Sequence, residues 1–262
     1  MQSRLKSRRK IRARGQHMLI SEEIADRFVD AAEIVKEETV LEIGTGTGMI
    51  TRRLCAIGKR VISYEIDSQM FEKTEQSLSS YENLELKLGD AFNASSEVCF
   101  DVCVTSLPYS ESLRFVKWLS MRSGGFKRCL AIVQSEFAEK ISSKPGSDSY
   151  RAVSVIAQDS FEIRRLFPIQ SEEFQPPPKV LSEVVKMTPK KIPHQPFFDS
   201  KRILLVNQLF SFRGRLLSAA VRKMVIPERR EEIPEELLST RIEDLSPDQI
   251  ADLTLKIESI MA

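Results

Sequence analysis

The chain has 262 residues, of which 42% are hydrophobic and 29% are charged. This composition is typical of a globular protein, and the length fits one domain of about 180–200 residues plus a smaller one. The longest apolar stretches are far too short to cross a bilayer, and the basic N-terminus lacks the apolar core of a signal peptide. We therefore expect a cytoplasmic protein without a membrane partner, and a monomer by default.

The four cysteines predict reduced thiols rather than a metal site. None of them has paired Cys-x-x-Cys spacing, and the sequence holds only two histidines that could complete a zinc site. Reduced, mostly buried thiols are the ordinary state of cysteine in a cytoplasmic protein. We expect no metal.

The net charge of +2 hides a basic arm at residues 1–14. The arm holds seven Lys and Arg residues and no acid, whereas the rest of the chain carries 32 basic against 37 acidic residues. A cationic segment favours a polyphosphate partner, because each Lys or Arg near a phosphate releases condensed counterions. A solvated tail that only aids solubility is the alternative.

After the arm, strands and helices are predicted to alternate. Ser21 is placed to cap a helix whose apolar positions Ile24, Phe28, Ala31 and Val35 recur at helical spacing. Further helices are predicted at 51–57 and 68–78, and apolar stretches predict five strands at 40–43, 61–66, 84–88, 100–105 and 130–133. Such alternation indicates an α/β fold with an open, mostly parallel sheet and helices on both faces.

The C-terminal third changes character. Two β-rich stretches, 162–167 and 180–187, predict an edge hairpin, and residues 189–196 have the composition of a linker. Beyond it the apolar spacing is helical, and a last helix is predicted to start at Ser246 as cap and Pro247 in the first turn. The predicted organisation is a basic arm (1–14), a sheet domain (15–188), a linker (189–196) and a small all-helical domain (197–262).

A glycine-rich turn from Glu42 to Gly48 follows the first of these strands and precedes a helix. Glycines let a backbone approach a ligand closely and point amides at it. A dinucleotide fingerprint needs G-x-G-x-x-G, but position 49 is Met and the third glycine is Gly48. The pattern E-x-G-x-G-x-G favours S-adenosyl-L-methionine (SAM), which has no pyrophosphate; NAD or no ligand are the alternatives.

Acidic residues end the next two strands. Glu65 is placed to accept hydrogen bonds from ribose hydroxyls, and Asp90 from the amine of an adenine. Because the carboxyl ends of parallel strands meet at one edge of a sheet, these residues and the glycine turn predict a single ligand crevice.

Ser106, Leu107, Pro108 and Tyr109, called the tetrapeptide below, lie where the fourth strand runs out. The lone pair of an aromatic amine is delocalised into its ring, so the nitrogen is a poor nucleophile. Ser106 Oγ and the Leu107 carbonyl could accept hydrogen bonds from such an amine, Pro108 would fix the direction of that carbonyl, and Tyr109 would stack on the base. Positioning then carries most of the catalysis, and the base must be unstacked to enter.

Several separate motifs resemble one family over nearly the whole chain. Residues 15–19 (GQHML) are similar to its opening GQxFL box, residues 65–67 and 89–91 follow its cofactor motifs in order, and residues 174–182 (FQPPPKVLS) fit its FxPxPKVxS segment. The chain thus resembles the small-subunit rRNA adenine dimethyltransferases (KsgA-type), relatives of the erythromycin-resistance methyltransferases. The resemblance implies a Rossmann-like SAM-dependent methyltransferase domain with a seven-stranded sheet and a helical domain. It also implies two adjacent adenosines near the 3′ end of small-subunit rRNA, or of a pre-ribosomal particle, as target.

The motifs and the resemblance together define the predicted site. The predicted cofactor-binding residues are Gln16, Met18, Glu42, Gly44, Gly46, Glu65, Asp90, Ala91 and Ser106. The predicted catalytic residues are Ser106, Leu107, Pro108, Tyr109 and Phe174, and the resemblance implies that Phe174 flanks the target base opposite Tyr109.

One departure from the family pattern bears on activity. The family normally has Asn where this chain has Ser106, which keeps an acceptor oxygen on a shorter arm. Two alternatives therefore stay open: an inactive or weakened RNA-binding factor of ribosome assembly, and methylation of another amine such as that of cytosine.

Overall fold

The structure is a computed structural model that describes residues 17–93, 98–190 and 199–261. The basic arm, Gln16 and linker residues 191–196 lie outside the described residues. In the described ranges, no helix is both long and apolar enough to cross a membrane. All four cysteines are free thiols; three are buried and Cys99 is exposed.

Seven strands form one mixed sheet in the order β4-β3-β2-β5-β6-β9-β7, and β1 pairs with β8 in a separate two-stranded sheet. The strands are β1 (Met18–Leu19), β2 (Thr39–Ile43), β3 (Arg60–Glu65), β4 (Leu84–Leu88), β5 (Val102–Thr105), β6 (Arg128–Gln134), β7 (Phe161–Ile169), β8 (Phe174–Gln175) and β9 (Ser182–Pro189). The two predicted β-rich stretches are β7 and β9, which lie side by side at one edge.

Five consecutive strands of the large sheet, from β4 across to β6, are parallel to one another, and β9 runs antiparallel to β6. The mostly parallel seven-stranded sheet is thereby confirmed. The strand order reverses at β2, since β3 and β4 lie on one side of it and β5 and β6 on the other. At such a switch point the connections leave in opposite directions and open a crevice at the carboxyl edge.

Ten α-helices are present in the described ranges. They are α1 (Glu22–Asp30), α2 (Met49–Ile57), α3 (Ser68–Leu78), α4 (Ser112–Ser120), α5 (Ser135–Ser142), α6 (Ala152–Ser160), α7 (Ser200–Phe210), α8 (Leu217–Met224), α9 (Glu235–Leu238) and α10 (Pro247–Met261). The predicted caps are confirmed: Ser21 Oγ accepts from Ile24 N at 3.4 Å and Ser246 Oγ from Gln249 N at 3.1 Å.

The first helix is shorter than its apolar spacing predicts. Helix α1 ends at Asp30, and Val35, predicted on its apolar face, is 52% exposed. Glu33 adopts a left-handed conformation with φ of 50°, which a right-handed helix cannot continue. The buried Glu38 then ties the following turn by accepting from Val35 N at 3.0 Å.

The chain divides into two compact units. The first takes its described residues from Met1–Phe115, Gly124–Ala138 and Arg164–Pro189, and the second from Val116–Ser123, Glu139–Ile163 and Lys190–Ala262. The first has a core of strand and α1–α2 side chains that includes Phe28, Leu54 and Val104. The second has its own helical core, into which α6 contributes Val155 and Ile156. The domain boundaries at residues 188 and 197 stay a prediction.

Candidate active site

The glycine turn forms a close-fitting edge of a cavity at the carboxyl end of β2. Gly44 and Gly46 have φ of 90° and 55°, values that a residue with a side chain rarely adopts. A Cβ on Gly46 would lie 3.2 Å from Met18 Sδ, and one on Gly44 would lie 3.6 Å from Leu107 Cδ2. Glycine therefore keeps open a space between the turn, the first strand and the tetrapeptide.

Glu42 supports this turn from behind and does not line the cavity. It is 1% exposed, and its Oε2 accepts from Thr51 Oγ1 at 2.7 Å and Ser63 Oγ at 2.6 Å. Ser63 Oγ also lies 2.6 Å from Thr45 Oγ1, so the relay reaches the turn itself. Burial raises the pKa of the Glu42 carboxyl to about 7, although the two hydroxyls favour its ionised form.

Glu65 lies at the cavity at the end of β3 and is 4% exposed. Its Oε2 accepts from Gly46 N at 2.9 Å and its Oε1 from Asp67 N at 2.9 Å. A carboxylate has about four lone-pair sites, so each oxygen can take a further donor. The two backbone bonds fix the carboxylate and leave room for ligand hydroxyls.

Asp90 lies across the cavity in the segment after β4. Its Oδ1 accepts from Phe92 N at 2.9 Å, and its Oδ2 accepts from Arg114 Nη2 at 2.7 Å. The neighbouring Ala91 is buried at 3% exposure and lines the same wall. This wall therefore carries an oriented carboxylate that already holds a cation.

The tetrapeptide begins where β5 ends beside β2. Ile43 and Thr105 are paired in the parallel ladder, and Thr105 Oγ1 donates to the Ile43 carbonyl at 2.9 Å. This places Ser106, Leu107 and Pro108 next to the glycine turn, and all three line the cavity. Within the described part of the chain, the Ser106 hydroxyl has no hydrogen-bond partner, so it is available to a ligand.

Tyr109 lies beyond the cavity wall in a short 3-10 turn, Tyr109–Glu111. Its ring stacks on His17 with centroids 5.4 Å apart and an interplanar angle of 27°, and its hydroxyl hydrogen-bonds Ser182 Oγ. His17 is itself held by a 2.7 Å hydrogen bond from Nδ1 to the Pro176 carbonyl. Burial raises the pKa of Tyr109, and the Ser182 hydrogen bond opposes that shift.

Phe174 is placed differently from the role that the motif resemblance implies. It belongs to β8, pairs with Leu19 of β1 and is 2% exposed in the core of the first unit. Its ring does not line the cavity. In this structure the aromatic neighbour of Tyr109 is His17 rather than Phe174.

The cavity has a volume of about 430 Å³. It brings together most of the predicted site: Met18, Gly44, Gly46, Glu65, Asp90, Ala91, Ser106, Leu107 and Pro108. Other lining residues were not predicted as site residues, namely His17, Ile43, Tyr64, Ile66, Gly89, Phe92, Ser110, Glu111 and Arg114. Ile66 and Phe92 directly follow predicted positions and could have been found from them, whereas nothing in the sequence pattern points from Asp90 to Arg114.

One family model matches nearly the whole chain, including the second half of the basic arm. The model of the family described as "Ribosomal RNA adenine dimethylase" matches residues 8–259. The chain belongs to the ribosomal RNA adenine dimethylase family. The motif-based resemblance is confirmed.

Relatives of this dimethylase family member span its length. A protein of Thermotoga neapolitana named ribosomal RNA small subunit methyltransferase A is 34% identical over 243 residues, covering 91% of this chain and 88% of the relative. The chain also matches the crystal structure of a dimethyladenosine transferase from Plasmodium falciparum, with a TM-score of 0.77 and 25% identity over 94% of this chain and 98% of that one.

The more distant rRNA methyltransferase ErmE has the same fold. Its crystal structure matches with a TM-score of 0.66 at 22% identity, covering 92% of this chain and 99% of that one. The likeness extends well past the sheet, since both matched structures cover more than nine tenths of this dimethylase family member. The Rossmann-like methyltransferase fold is thereby confirmed.

Proposed function

We propose that this chain is a SAM-dependent RNA methyltransferase that dimethylates the exocyclic amines of two adjacent adenosines near the 3′ end of small-subunit rRNA during ribosome biogenesis. One observation carries the proposal: a single cavity joins the glycine turn, Glu65 and Asp90 to the first three residues of the tetrapeptide. The membership of the ribosomal RNA adenine dimethylase family supports the choice of RNA and of adenine.

The residues of the cavity fit SAM as the cofactor. The open space beside Gly44 and Gly46 suits a ligand that lies close to the backbone, Glu65 keeps free lone pairs for ribose hydroxyls, and Asp90 presents an acceptor for an adenine amine. When bound, this cofactor supplies the methyl group. Glu42 acts from behind the turn, through Thr51, Ser63 and Thr45.

The tetrapeptide is proposed to grip the target amine. Ser106 Oγ and the Leu107 carbonyl accept the two amine hydrogens, which orients the nitrogen lone pair towards the methyl donor. Pro108 restricts the backbone at φ of −52°, so the direction of the preceding carbonyl is fixed. A strong general base is not required, because the amine proton becomes acidic once the nitrogen is methylated; positioning carries the rate.

Tyr109 is proposed to supply the stacking surface for the base. Since its ring already lies against His17, an incoming base uses the other face of Tyr109 or displaces the imidazole. Either route needs an unstacked adenine, as expected for a base that reacts outside a helix.

The partner is small-subunit rRNA or a pre-ribosomal particle, which this protein meets as a monomer in the cytoplasm. The basic arm adds up to seven phosphate contacts. Deletion of the arm should weaken RNA affinity and make that affinity less dependent on salt, because fewer phosphate contacts release fewer counterions on binding.

Transfer of labelled methyl groups from SAM tests the proposal. The substrate is a small-subunit precursor lacking the modification, and the product is digested to nucleosides. We expect label in dimethyladenosine. Label in cytidine would redirect the activity to another amine, and SAM binding without any incorporation would support the inactive assembly factor instead.

A further inference from the structure

Arg114 reaches over the cavity from the first turn of α4. Its Nη2 donates to Asp90 Oδ2 at 2.7 Å, and its guanidinium carbon lies 4.5 Å from the centroid of the Phe92 ring. Its Nη1 lies 3.5 Å from Glu111 Oε2. All four residues line the cavity, so the guanidinium is held entirely by groups of the cavity wall.

The Asp90 carboxylate already has donors on both oxygens. Its Oδ1 accepts from the Phe92 backbone N–H at 2.9 Å, which orients the group, and Oδ2 accepts from Arg114 and, at 3.4 Å, from Asn93 Nδ2. A hydrogen bond from a guanidinium is stronger than one from a neutral aromatic amine. Oδ2 thus has two donors for its two lone pairs, so an amine that approaches it has to displace one of them, and Arg114 is the stronger donor.

We propose that Arg114 competes with the adenine amine of the cofactor for Asp90, and so lowers cofactor affinity. The inference rests on the proposed function, because it takes Asp90 as the acceptor for that amine. Adenine binding moves the guanidinium off Oδ2, while Phe92 and Glu111 keep it at the cavity mouth. Arg114 thus sets how tightly the cofactor and its demethylated product are held.

The exposure of the Arg114–Asp90 ion pair limits how much its loss can change cofactor affinity. The Arg114 side chain is 47% exposed and that of Asp90 21% exposed, so the pair is weakened by solvent and screened by salt. Loss of such a pair corresponds to a change of about 1.5-fold to fivefold in affinity. The change should be largest at low salt.

Calorimetric titration with S-adenosylhomocysteine, the demethylated product, gives a readout independent of turnover. We expect Arg114→Met, which keeps the aliphatic arm, to bind this ligand about 1.5- to fivefold more tightly than the unmodified chain at low salt. The gain should shrink at high salt. Arg60→Met is the matched control, because Arg60 forms a comparably exposed ion pair with Glu85 and neither residue lines the cavity. The affinity of Arg60→Met for S-adenosylhomocysteine should equal that of the unmodified chain.

A second ligand, which lacks the exocyclic adenine amine, shows whether the effect of Arg114 depends on that amine. In S-inosylhomocysteine a carbonyl oxygen, which accepts hydrogen bonds, replaces the adenine amine. It has no exocyclic donor to compete with Arg114 for Asp90, so Arg114→Met should bring no gain in affinity for this ligand. Arg114→Lys, which keeps the cation, should retain most of the competition. An equal gain for both ligands, or no gain or a loss with S-adenosylhomocysteine, would overturn the competition. Failure of the unmodified chain to bind S-adenosylhomocysteine would instead count against the proposed function.

Discussion

The cavity has two sides that differ in how far their polar groups are already committed. On the cofactor side, Glu65 accepts two backbone hydrogen bonds and Asp90 holds a backbone amide and Arg114. On the tetrapeptide side, the Ser106 hydroxyl has no partner in the described ranges, and Tyr109 is braced from outside the cavity by His17 and Ser182. The carboxylates of the cofactor side are thus already oriented by hydrogen bonds, whereas the tetrapeptide side keeps a hydroxyl available for the substrate.

The difference reflects how each side is built. The cofactor side comes from three consecutive strand ends, β2, β3 and β4, whose parallel pairing fixes their spacing. The tetrapeptide side needs segments far apart in sequence, around residues 17, 109 and 174–182. We therefore expect substitutions on the cofactor side to act on stability and affinity, and those on the tetrapeptide side to act on turnover.

The largest expected effect is on stability at Glu42. Its folded-state pKa of about 7 stands above the ordinary value of 4.5, so the folded protein holds this proton more tightly than the unfolded chain. The resulting stability is fully present below pH 4.5 and is lost as pH rises to 7, a change of about 3 kcal/mol. Denaturant unfolding measures the free energy of unfolding across this range. That of Glu42→Gln should rise relative to that of the unmodified chain as pH rises.

Glu75→Gln provides the control for that titration. Glu75 is an exposed residue of α3, so Glu75→Gln removes a surface carboxyl while the buried carboxyl of Glu42 stays in place. A difference between Glu42→Gln and the unmodified chain that stays flat with pH would show that Glu42 is already ionised in the folded protein.

The next effect is on turnover at Tyr109. Removing the ring in Tyr109→Ala should lower kcat by about 100-fold through loss of base positioning, with SAM affinity almost unchanged. Tyr109→Phe keeps the ring and loses only the hydrogen bond to Ser182, so it should retain most activity. Equal losses in turnover and SAM affinity would make the ring part of the scaffold and erase the contrast between the two sides.

A somewhat smaller effect is expected on SAM affinity at Glu65. Glu65→Gln removes a charged acceptor and sets an amide NH₂ against one of two backbone donors, so the Kd for SAM should rise about 30-fold. Glu85→Gln on the neighbouring strand β4 is the control, since Glu85 pairs with Arg60 outside the cavity. A Glu65→Gln variant with normal SAM affinity and reduced kcat would place Glu65 on the turnover side.

The smallest effect is expected at Ser106. Ser106→Ala loses one of two acceptors for the amine, so kcat should fall about two- to tenfold, while Ser106→Asn keeps an acceptor oxygen and should retain or raise activity. Single-turnover rates measure this step directly. Unchanged rates in Ser106→Ala would leave the Leu107 carbonyl as the sole acceptor.

The sequence predicts more of the cofactor side than of the contacts around the tetrapeptide and Arg114, and the reason is physical. Strand ends and glycine spacing are local patterns, so Gly44, Glu65 and Asp90 could be placed together from the parallel sheet alone. Contacts between distant segments leave no such pattern: the His17 stack on Tyr109 and the reach of Arg114 to Asp90 became visible only in the fold. Phe174 shows the converse, because a motif marks its position but its burial against Leu19 depends on the pairing of β1 with β8.

Mass-spectrometric mapping of small-subunit rRNA tests whether this protein dimethylates two adjacent adenosines. The rRNA is compared with and without treatment by this protein and SAM, and fragments from its 3′ end are sequenced. We expect two adjacent adenosines, each carrying two added methyl groups, in the treated sample alone. Identical fragment masses in both samples, with SAM binding demonstrated in the same preparation, would contradict it.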